Sequence, residues 1–206
     1  MKKMQMKLKL LAPIVVAAVI VTMCYVGATA IGNAPVIIIG GAAIVAYVVW
    51  LLTTYKQPAD ARKVLPFYLV AVGAQLIHET EEYLAGFPSQ FSTLFHLPVF
   101  TEHFFVITFL LVFSIIWVLA GVGLIYKNPI ANFLAWFFAI GPGLVNGIAH
   151  FVFPFLVHRL YFPGIITVVL PTTASILLIW QLLRPFVRNS QKRKLAAEPV
   201  VNVLLR

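Results

Sequence analysis

The fold is decided by the stretch VFTEHFFVITFLLVFSIIWVLAGVGLIY, Val99–Tyr126. Its ionisable side chains, Glu102 and His103, stand near its start, and the residues after them are almost all apolar. A helix that crosses a bilayer needs roughly 20 mostly apolar residues. The stretch therefore predicts a membrane-spanning helix with ionisable groups near one end.

Five other windows along the chain have a similar length and apolar character. They are Leu10–Ile31, Pro35–Thr54, Val64–Ala85, Pro129–Phe151 and Tyr161–Leu183. We therefore predict an all-α, polytopic transmembrane helix bundle of about six spans. The predicted organisation is a first spanning helix in residues 1–32, a bundle in residues 33–183 and a basic tail in residues 184–206.

The first window has a second interpretation as a signal peptide. Lysines precede it, and Ala28-Thr29-Ala30 resembles the small-residue site at which signal peptides are cleaved. The window is long for that role, so we expect a retained signal anchor. Cleavage would leave the other spans in the same orientation.

The composition excludes a soluble globule. Hydrophobic residues make up 62% of the chain and charged residues 10%, with a mean hydropathy of +0.99, whereas a soluble domain is about half apolar and a quarter charged. The excess apolar surface has to face lipid. A net charge of +9 would favour nucleic-acid binding in a soluble protein. Here the basic residues lie at chain ends and in short loops, so we expect no nucleic-acid partner.

The distribution of basic residues predicts the orientation. Of the 15 Lys and Arg residues, only Arg159 falls outside the N-terminus, the loops after the second and fourth windows, and the tail. These segments all lie on one side of a six-span bundle, and basic loops normally remain in the cytoplasm. We therefore predict a multi-pass protein of the inner cell membrane with both termini in the cytoplasm.

Under this topology, acidic and imidazole side chains gather near the non-cytoplasmic end of the bundle. The third, fourth and fifth windows bring seven of them to a similar depth: His78, Glu79, Glu81, Glu82, Glu102, His103 and His150. An ionised group inside a bilayer costs a few kcal/mol, so it must be neutralised, paired or bound to a cation. Arg159 offers one positive charge nearby and cannot neutralise four carboxylates.

Helical spacing turns several of these residues toward one another. His78 and Glu82 are four residues apart, the spacing by which one helix offers two ligands to one ion. In the fifth window one helix face carries Gly143, Asn146, Gly147 and His150. Two glycines at this spacing permit close helix packing in a membrane. We therefore expect Asn146 and His150, on the same helix face, to point into the packed interior.

We predict the metal ligands to be His78, Glu82, His103 and His150. Nitrogen and carboxylate ligands suit zinc, iron or manganese, and we expect a divalent metal, zinc before iron or manganese. Glu81 or Glu102 is predicted to be a further ligand or the base that activates water. Asn146 is predicted to orient a ligand or to donate to an oxyanion.

Several of these residues also have a plainer interpretation. Glu102 would be stabilised in the first turn of a helix, where the helix dipole favours an anion. His103 would serve equally as a hydrogen-bonded core histidine, and Glu79 as a group that faces head groups or solvent. We expect His96 and His158, in loops, not to bind metal.

The run His78-Glu79-Thr80-Glu81-Glu82 resembles the signature of the HXXEE family, small multi-spanning prokaryotic membrane proteins named for this motif. Glu102, the Asn146-to-His150 spacing and Tyr161-Phe162-Pro163-Gly164 are similar to that family's polar positions. The resemblance covers roughly residues 64–183. The family's biochemical role is uncharacterised, and the resemblance implies metal dependence through the motif.

The motif is also similar in spacing to the inverted zinc-protease pattern His-x-x-Glu-His, in which the Glu is the base. Glu81 stands in that position here, and Glu82 stands where the second histidine would be. We predict a metal-dependent integral membrane enzyme, most simply a hydrolase of a lipid or amphiphile at the outer leaflet. Three alternatives stay open: an iron-dependent oxidase on the same ligands, a proton- or cation-coupled transporter, and a partner protein with a structural metal.

Overall fold

A computed structural model describes residues 2–30, 32–98 and 101–204. All regular structure in these ranges is helical, with no strand. The start of the predicted fourth span at Val99, the end of the first at Ile31 and the last residues of the predicted tail, 205–206, lie outside the described ranges. The prediction of an all-α fold is confirmed.

The helices follow one another with short connections, and three of the long rods contain a π-helical segment. In chain order they are α1 (Lys2–Ala30), α2 (Asn33–Pro35), π1 (Val36–Gly40), α3 (Gly41–Leu52), α4 (Ala61–Leu84), α5 (Phe87–Phe95), α6 (Glu102–Phe105), π2 (Val106–Phe113), α7 (Ser114–Ile125), α8 (Pro129–Phe138), π3 (Ala139–Val145), α9 (Asn146–Leu156) and α10 (Val169–Leu204).

Four helical stretches are long and apolar enough to cross a membrane: Lys9–Thr29, Glu102–Ile125, Pro129–Leu156 and Val169–Val187. The apolar helix Val36–Leu52 is shorter. α4 has 24 residues, but its second half carries the polar side chains of the motif, which lower its hydropathy. The membrane class is therefore supported, while the six-span count and the cytoplasmic termini stay predictions.

Side-chain caps fix where three of the rods begin. Asp60 accepts a hydrogen bond from the backbone of Arg62 ahead of α4. Thr101 accepts one from the backbone of Phe104 at 3.1 Å ahead of α6. Asn128 caps α8, with a proline at the first helical position. Each cap satisfies backbone N–H groups that have no partner within the helix.

Two boundaries differ from the sequence prediction. α5 forms in a segment predicted to be a loop, because Gly86 at φ 74 turns the chain after α4 and Pro88 starts a new helix. The last rod begins at Val169 rather than Tyr161, because Gly164 at φ 91 interrupts the helix. That rod then continues through Leu204, so residues predicted as a separate tail belong to the same helix.

The predicted close packing of the fifth rod is confirmed. A Cβ atom at Gly143 would lie 2.1 Å from Oγ of Ser175, and one at Gly147 would lie 2.2 Å from Oγ1 of Thr172. The rods therefore approach until backbone meets side chain, as small residues allow in membrane bundles. This contact turns the next residue on the same face, His150, into the bundle interior.

Candidate metal centre

Three ionisable side chains from two rods meet at one point. Nε2 of His78 lies 3.3 Å from Oε1 of Glu82, and Nε2 of His150 lies 2.8 Å from the same oxygen. Both histidines are fully buried and Glu82 is 5% exposed. Their candidate ligand atoms all lie within 4.8 Å of one another. We call these three residues the His/Glu group.

A hydrogen-bond chain sets the tautomer of His78. The hydroxyl of Thr167 donates to Oε2 of Glu81 at 2.6 Å, so its oxygen is left to accept from Nδ1 of His78 at 3.3 Å. With its proton on Nδ1, the ring presents the lone pair of Nε2 to Glu82. A histidine held through its other nitrogen by a partner linked to a carboxylate is typical of metal ligands.

His150 has no such partner. Within the part of the chain that the structure describes, neither of its ring nitrogens has a hydrogen bond of acceptable geometry. Its ring is instead surrounded by three phenylalanines, with centroid distances of 5.6 Å to Phe87, 5.5 Å to Phe153 and 6.3 Å to Phe162. Among the described residues, its one polar contact is that of Nε2 with Oε1 of Glu82 at 2.8 Å. A cation between these two atoms would satisfy both, because each can offer it a lone pair.

The loop between α9 and α10 covers the group, and Glu81 holds the loop in place. Besides the Thr167 hydroxyl, its carboxylate accepts from the backbone of Thr167 at 2.8 Å, the backbone of Ile166 at 3.4 Å and the hydroxyl of Tyr161 at 3.1 Å. Partial burial and the Glu81 carboxylate raise the pKa of Tyr161, so the phenol keeps its proton and stays a donor. We call residues 161–167 the covering loop.

Gly164 brings the covering loop directly onto the two histidines. Its φ of 91 is in the left-handed region that favours glycine. A Cβ atom there would lie 2.6 Å from Cε1 of both His78 and His150. Only a residue without a side chain permits this approach.

Asn146 joins the His/Glu group to a cavity in the bundle. Its Nδ2 lies 2.9 Å from Nε2 of His78, where the amide donates to the free lone pair. Asn146 and Glu82 both line a cavity that otherwise has mainly aromatic and aliphatic walls. Asn146 and Glu82 therefore place polar atoms at the boundary between the His/Glu group and the cavity.

A further carboxylate lines the same cavity. Glu79 is 5% exposed, and its Oε1 accepts from Nε2 of Gln75 at 3.2 Å. Oε1 of Gln75 has no hydrogen-bond partner among the described residues. This is not the head-group or solvent position that we considered for Glu79 from the sequence. The polar wall of the cavity is therefore a continuous face of α4 formed by Gln75, Glu79 and Glu82.

The structure brings together three of the four predicted ligands. His103 and Glu102 are exposed and lie outside the His/Glu group. The Thr101 cap starts the helix at Glu102, which leaves these side chains in the first turn. The carboxylate of Glu81 is turned to the covering loop. Nδ2 of Asn146 lies 2.9 Å from Nε2 of His78. The roles assigned to these four residues from the sequence stay predictions.

Sequence reasoning assigned no role to Thr167 and Gly164 and did not select Glu79 as a reactive group. Thr167 carries no motif, and only its distance from His78 reveals it. Gly164 had a signal, because it ends the Tyr161–Gly164 segment that was singled out. Glu79 also had a signal, because it stands four residues after Gln75 and three before Glu82, a spacing that brings residues to neighbouring positions on a helix.

The His/Glu group fits a divalent cation. Two imidazoles and one carboxylate are a ligand set of catalytic zinc sites, which keep a fourth position open. Ligand bonds of about 2.0–2.2 Å in a tetrahedron imply ligand separations of roughly 3.4 Å, close to the 3.3 Å between His78 and Glu82. The 2.8 Å between His150 and Glu82 is shorter, so a bound ion would require these two side chains to move slightly apart.

Thr167 provides a test of the hydrogen-bond chain. Thr167→Val keeps the shape and the backbone N–H but removes the hydroxyl between His78 and Glu81. We expect about tenfold weaker zinc binding, in the range for partners that orient a ligand. Competition with a chromogenic chelator measures it. Thr167→Ser keeps the hydroxyl and should bind like the wild type; equal affinities in the valine and serine variants would contradict the chain.

Fold and site together define a helical membrane protein with a buried His/Glu group at the end of an apolar cavity. The family described as "Protein of unknown function with HXXEE motif" matches residues 68–179. The chain belongs to this HXXEE family, and the predicted resemblance is confirmed. No curated protein and no solved structure matches the chain.

Proposed function

We propose that the protein is a metal-dependent membrane enzyme, most simply a hydrolase that acts on an amphiphile. One observation carries the proposal: the His/Glu group adjoins the apolar cavity through Glu82 and Asn146, which line it. An ion bound there would meet the polar part of a molecule whose apolar part fills the cavity. A purely structural metal site would be closed rather than beside a cavity.

The ligands in this proposal are His78, Glu82 and His150, with zinc as the first choice of metal. Held by these three residues, a divalent ion would supply Lewis-acid chemistry: it would lower the pKa of a bound water and polarise a carbonyl group. Nδ2 of Asn146 lies 2.9 Å from Nε2 of His78. An ion on Nε2 would take the lone pair of that nitrogen, which would free the amide to donate to the carbonyl oxygen of a substrate. His103 and Glu102 are left out of the ligand set.

Glu79 takes the role of base in this proposal, in place of Glu81. The four hydrogen bonds that the carboxylate of Glu81 accepts come from the covering loop. Glu79 lines the cavity on the same face of α4 as Glu82. Its carboxylate accepts a proton from water as the oxygen bonds to the carbonyl carbon, and returns it to the leaving group when the bond to that group breaks.

The location follows from the predicted topology. With both termini in the cytoplasm, the His/Glu group lies near the non-cytoplasmic end of the bundle, so the substrate would come from the outer leaflet of the inner membrane. The substrate is then a lipid or another amphiphile of that leaflet. An iron-dependent oxidase would use the same ligands, and element analysis of the purified protein distinguishes the two.

The function is tested with the purified chain in detergent and the p-nitrophenyl ester of dodecanoic acid as the probe. We expect about one zinc per chain, hydrolysis that a chelator abolishes, and recovery when zinc is returned. Glu79→Gln should retain the metal and lose roughly 100-fold in rate, within the range of a general base. Absence of a bound metal would contradict the proposal. Loss of rate in Glu102→Gln, with Glu79→Gln unaffected, would restore the sequence prediction of the base.

A further inference from the structure

The cavity has a regular aromatic wall. Four aromatic residues of the fourth rod stand four positions apart and line it: Phe105, Phe109, Phe113 and Trp117. Neighbouring ring centroids are 5.1, 5.6 and 5.8 Å apart. The π-helical segment π2 lies between Phe105 and Trp117. A π-helix has more residues per turn than an α-helix, so side chains four positions apart stay closer to one line along the helix. We call these four residues the aromatic rail.

The rail runs from the His/Glu group to the opposite end of the cavity. Phe105 lies beside Phe87, which in turn contacts His150. Trp117 is 4% exposed and packs against Phe137 and Phe138. Twelve residues separate the two ends of the rail, which is roughly 18 Å of helix. The cavity is therefore long and narrow, with its polar groups concentrated toward one end.

Without a bound metal, the polar end is suited to a hydrogen-bond donor and unsuited to an anion. Oε1 of Gln75 is a buried acceptor without a partner among the described residues. The lining includes the carboxyl groups of Glu79 and Glu82 and, among described residues, no lysine or arginine. A phosphate, sulfate or carboxylate would meet two acidic groups in a poorly solvated space. A hydroxyl, amide or ammonium group would offer what Gln75 lacks.

We propose that the cavity binds one unbranched apolar chain, dodecyl to hexadecyl in length, that carries a neutral or cationic head group with a hydrogen-bond donor. The chain lies along the aromatic rail with its end at Trp117, and the head group reaches Gln75 and Glu79 beside the metal ligands. The inference deepens the proposed function and rests on it for the role of the site. Binding of the chain itself does not require the metal.

Trp117 makes the inference measurable. The probes are primary alcohols with bromine on the last carbon, in octyl, dodecyl and hexadecyl lengths, added to the full chain in detergent, because bromine quenches a tryptophan that it touches. We expect the dodecyl or hexadecyl probe to quench at least threefold more than the octyl probe. The Trp117→Phe variant keeps an aromatic ring and should lose the dependence on length. Equal quenching at all lengths, or unchanged dependence in Trp117→Phe, would overturn the inference.

Cavity length and head group are tested separately. Ala42→Leu adds volume near Phe137, at the Trp117 end, and should shift the best probe to a shorter chain. Val48→Leu, on the exposed face of the same helix, should leave it unchanged. In the chelator-treated protein, bromododecyl sulfate should bind at least tenfold more weakly than the matching alcohol. If Ala42→Leu leaves the best probe length unchanged, or if the sulfate and the alcohol bind equally well, the proposed occupant is contradicted.

The chain-binding proposal and the enzyme proposal can fail independently. His150→Ala removes a ligand but no wall of the cavity, so quenching that depends on length should persist while the metal is lost. If the wild type shows this quenching without metal or hydrolysis, the cavity assignment stands and the enzyme proposal fails. If metal and hydrolysis are present and quenching is flat, the enzyme proposal stands and the chain assignment fails.

Discussion

His150→Ala is expected to weaken zinc binding by more than roughly 100-fold, beyond the effect of losing a partner that only orients a ligand. The substitution removes one of three ligands and leaves Nε2 of His78 and Oε1 of Glu82, which lie 3.3 Å apart, as the only pair. Element analysis after gel filtration and competition with a chromogenic chelator both measure the change. Glu82→Gln should show a comparable loss, because Oε1 of Glu82 is the atom that contacts both histidines.

His103→Ala is the matched control for His150→Ala. It removes an imidazole at a comparable depth under the predicted topology, but His103 is exposed and outside the His/Glu group. We expect unchanged zinc affinity and unchanged stoichiometry. If His103→Ala releases the metal while His150→Ala retains it, the three-residue site is wrong and the ligand that the sequence indicated has to be restored.

Gly164→Ala is expected to have the second large effect, on stability and metal affinity together. The left-handed backbone costs an alanine about 1–2 kcal/mol, and forcing a methyl group against two buried rings costs about 1–3 kcal/mol more. The Cβ atom would lie 2.6 Å from Cε1 of each histidine, so the rings must move apart or the covering loop must lift. Thermal unfolding in detergent and chelator competition should both register the change.

Gly86→Ala separates backbone strain from overlap. Gly86 also has a positive φ, of 74, but a Cβ atom there meets no described atom within 4 Å. We expect a loss of stability of about 1–2 kcal/mol from backbone strain and no change in zinc affinity. If the two alanine variants bind zinc equally well, Gly164 has no special relation to the histidines.

Much of the fold follows from apolar run lengths and from capping residues. The windows at Leu10, Pro35, Val64 and Pro129 match helical rods, because length and hydropathy are local properties of the chain. The start of the last rod was missed, since an apolar run does not show where Gly164 breaks the backbone. α5 was missed because its nine residues are too few to give a spanning signal.

Part of the candidate site could also be predicted from local properties of the chain. His78 and Glu82 are paired by helical spacing, and His150 is turned inward by a glycine pair that the sequence displays. The contacts of the Glu81 carboxylate were not predicted, because its partners lie 80 or more residues away along the chain, which spacing within one helix does not reveal. The exposure of His103 was not predicted, because a shared depth does not determine which side of its helix faces the bundle.

The account depends most on one cation shared by His78, Glu82 and His150. X-ray absorption at the zinc edge of the purified, zinc-loaded protein tests this directly. We predict nitrogen and oxygen neighbours at about 2.0–2.2 Å, with the outer-shell scattering of two imidazole rings, and one ring fewer in His150→Ala. A spectrum without imidazole scattering, or one that His150→Ala leaves unchanged, would contradict the shared site.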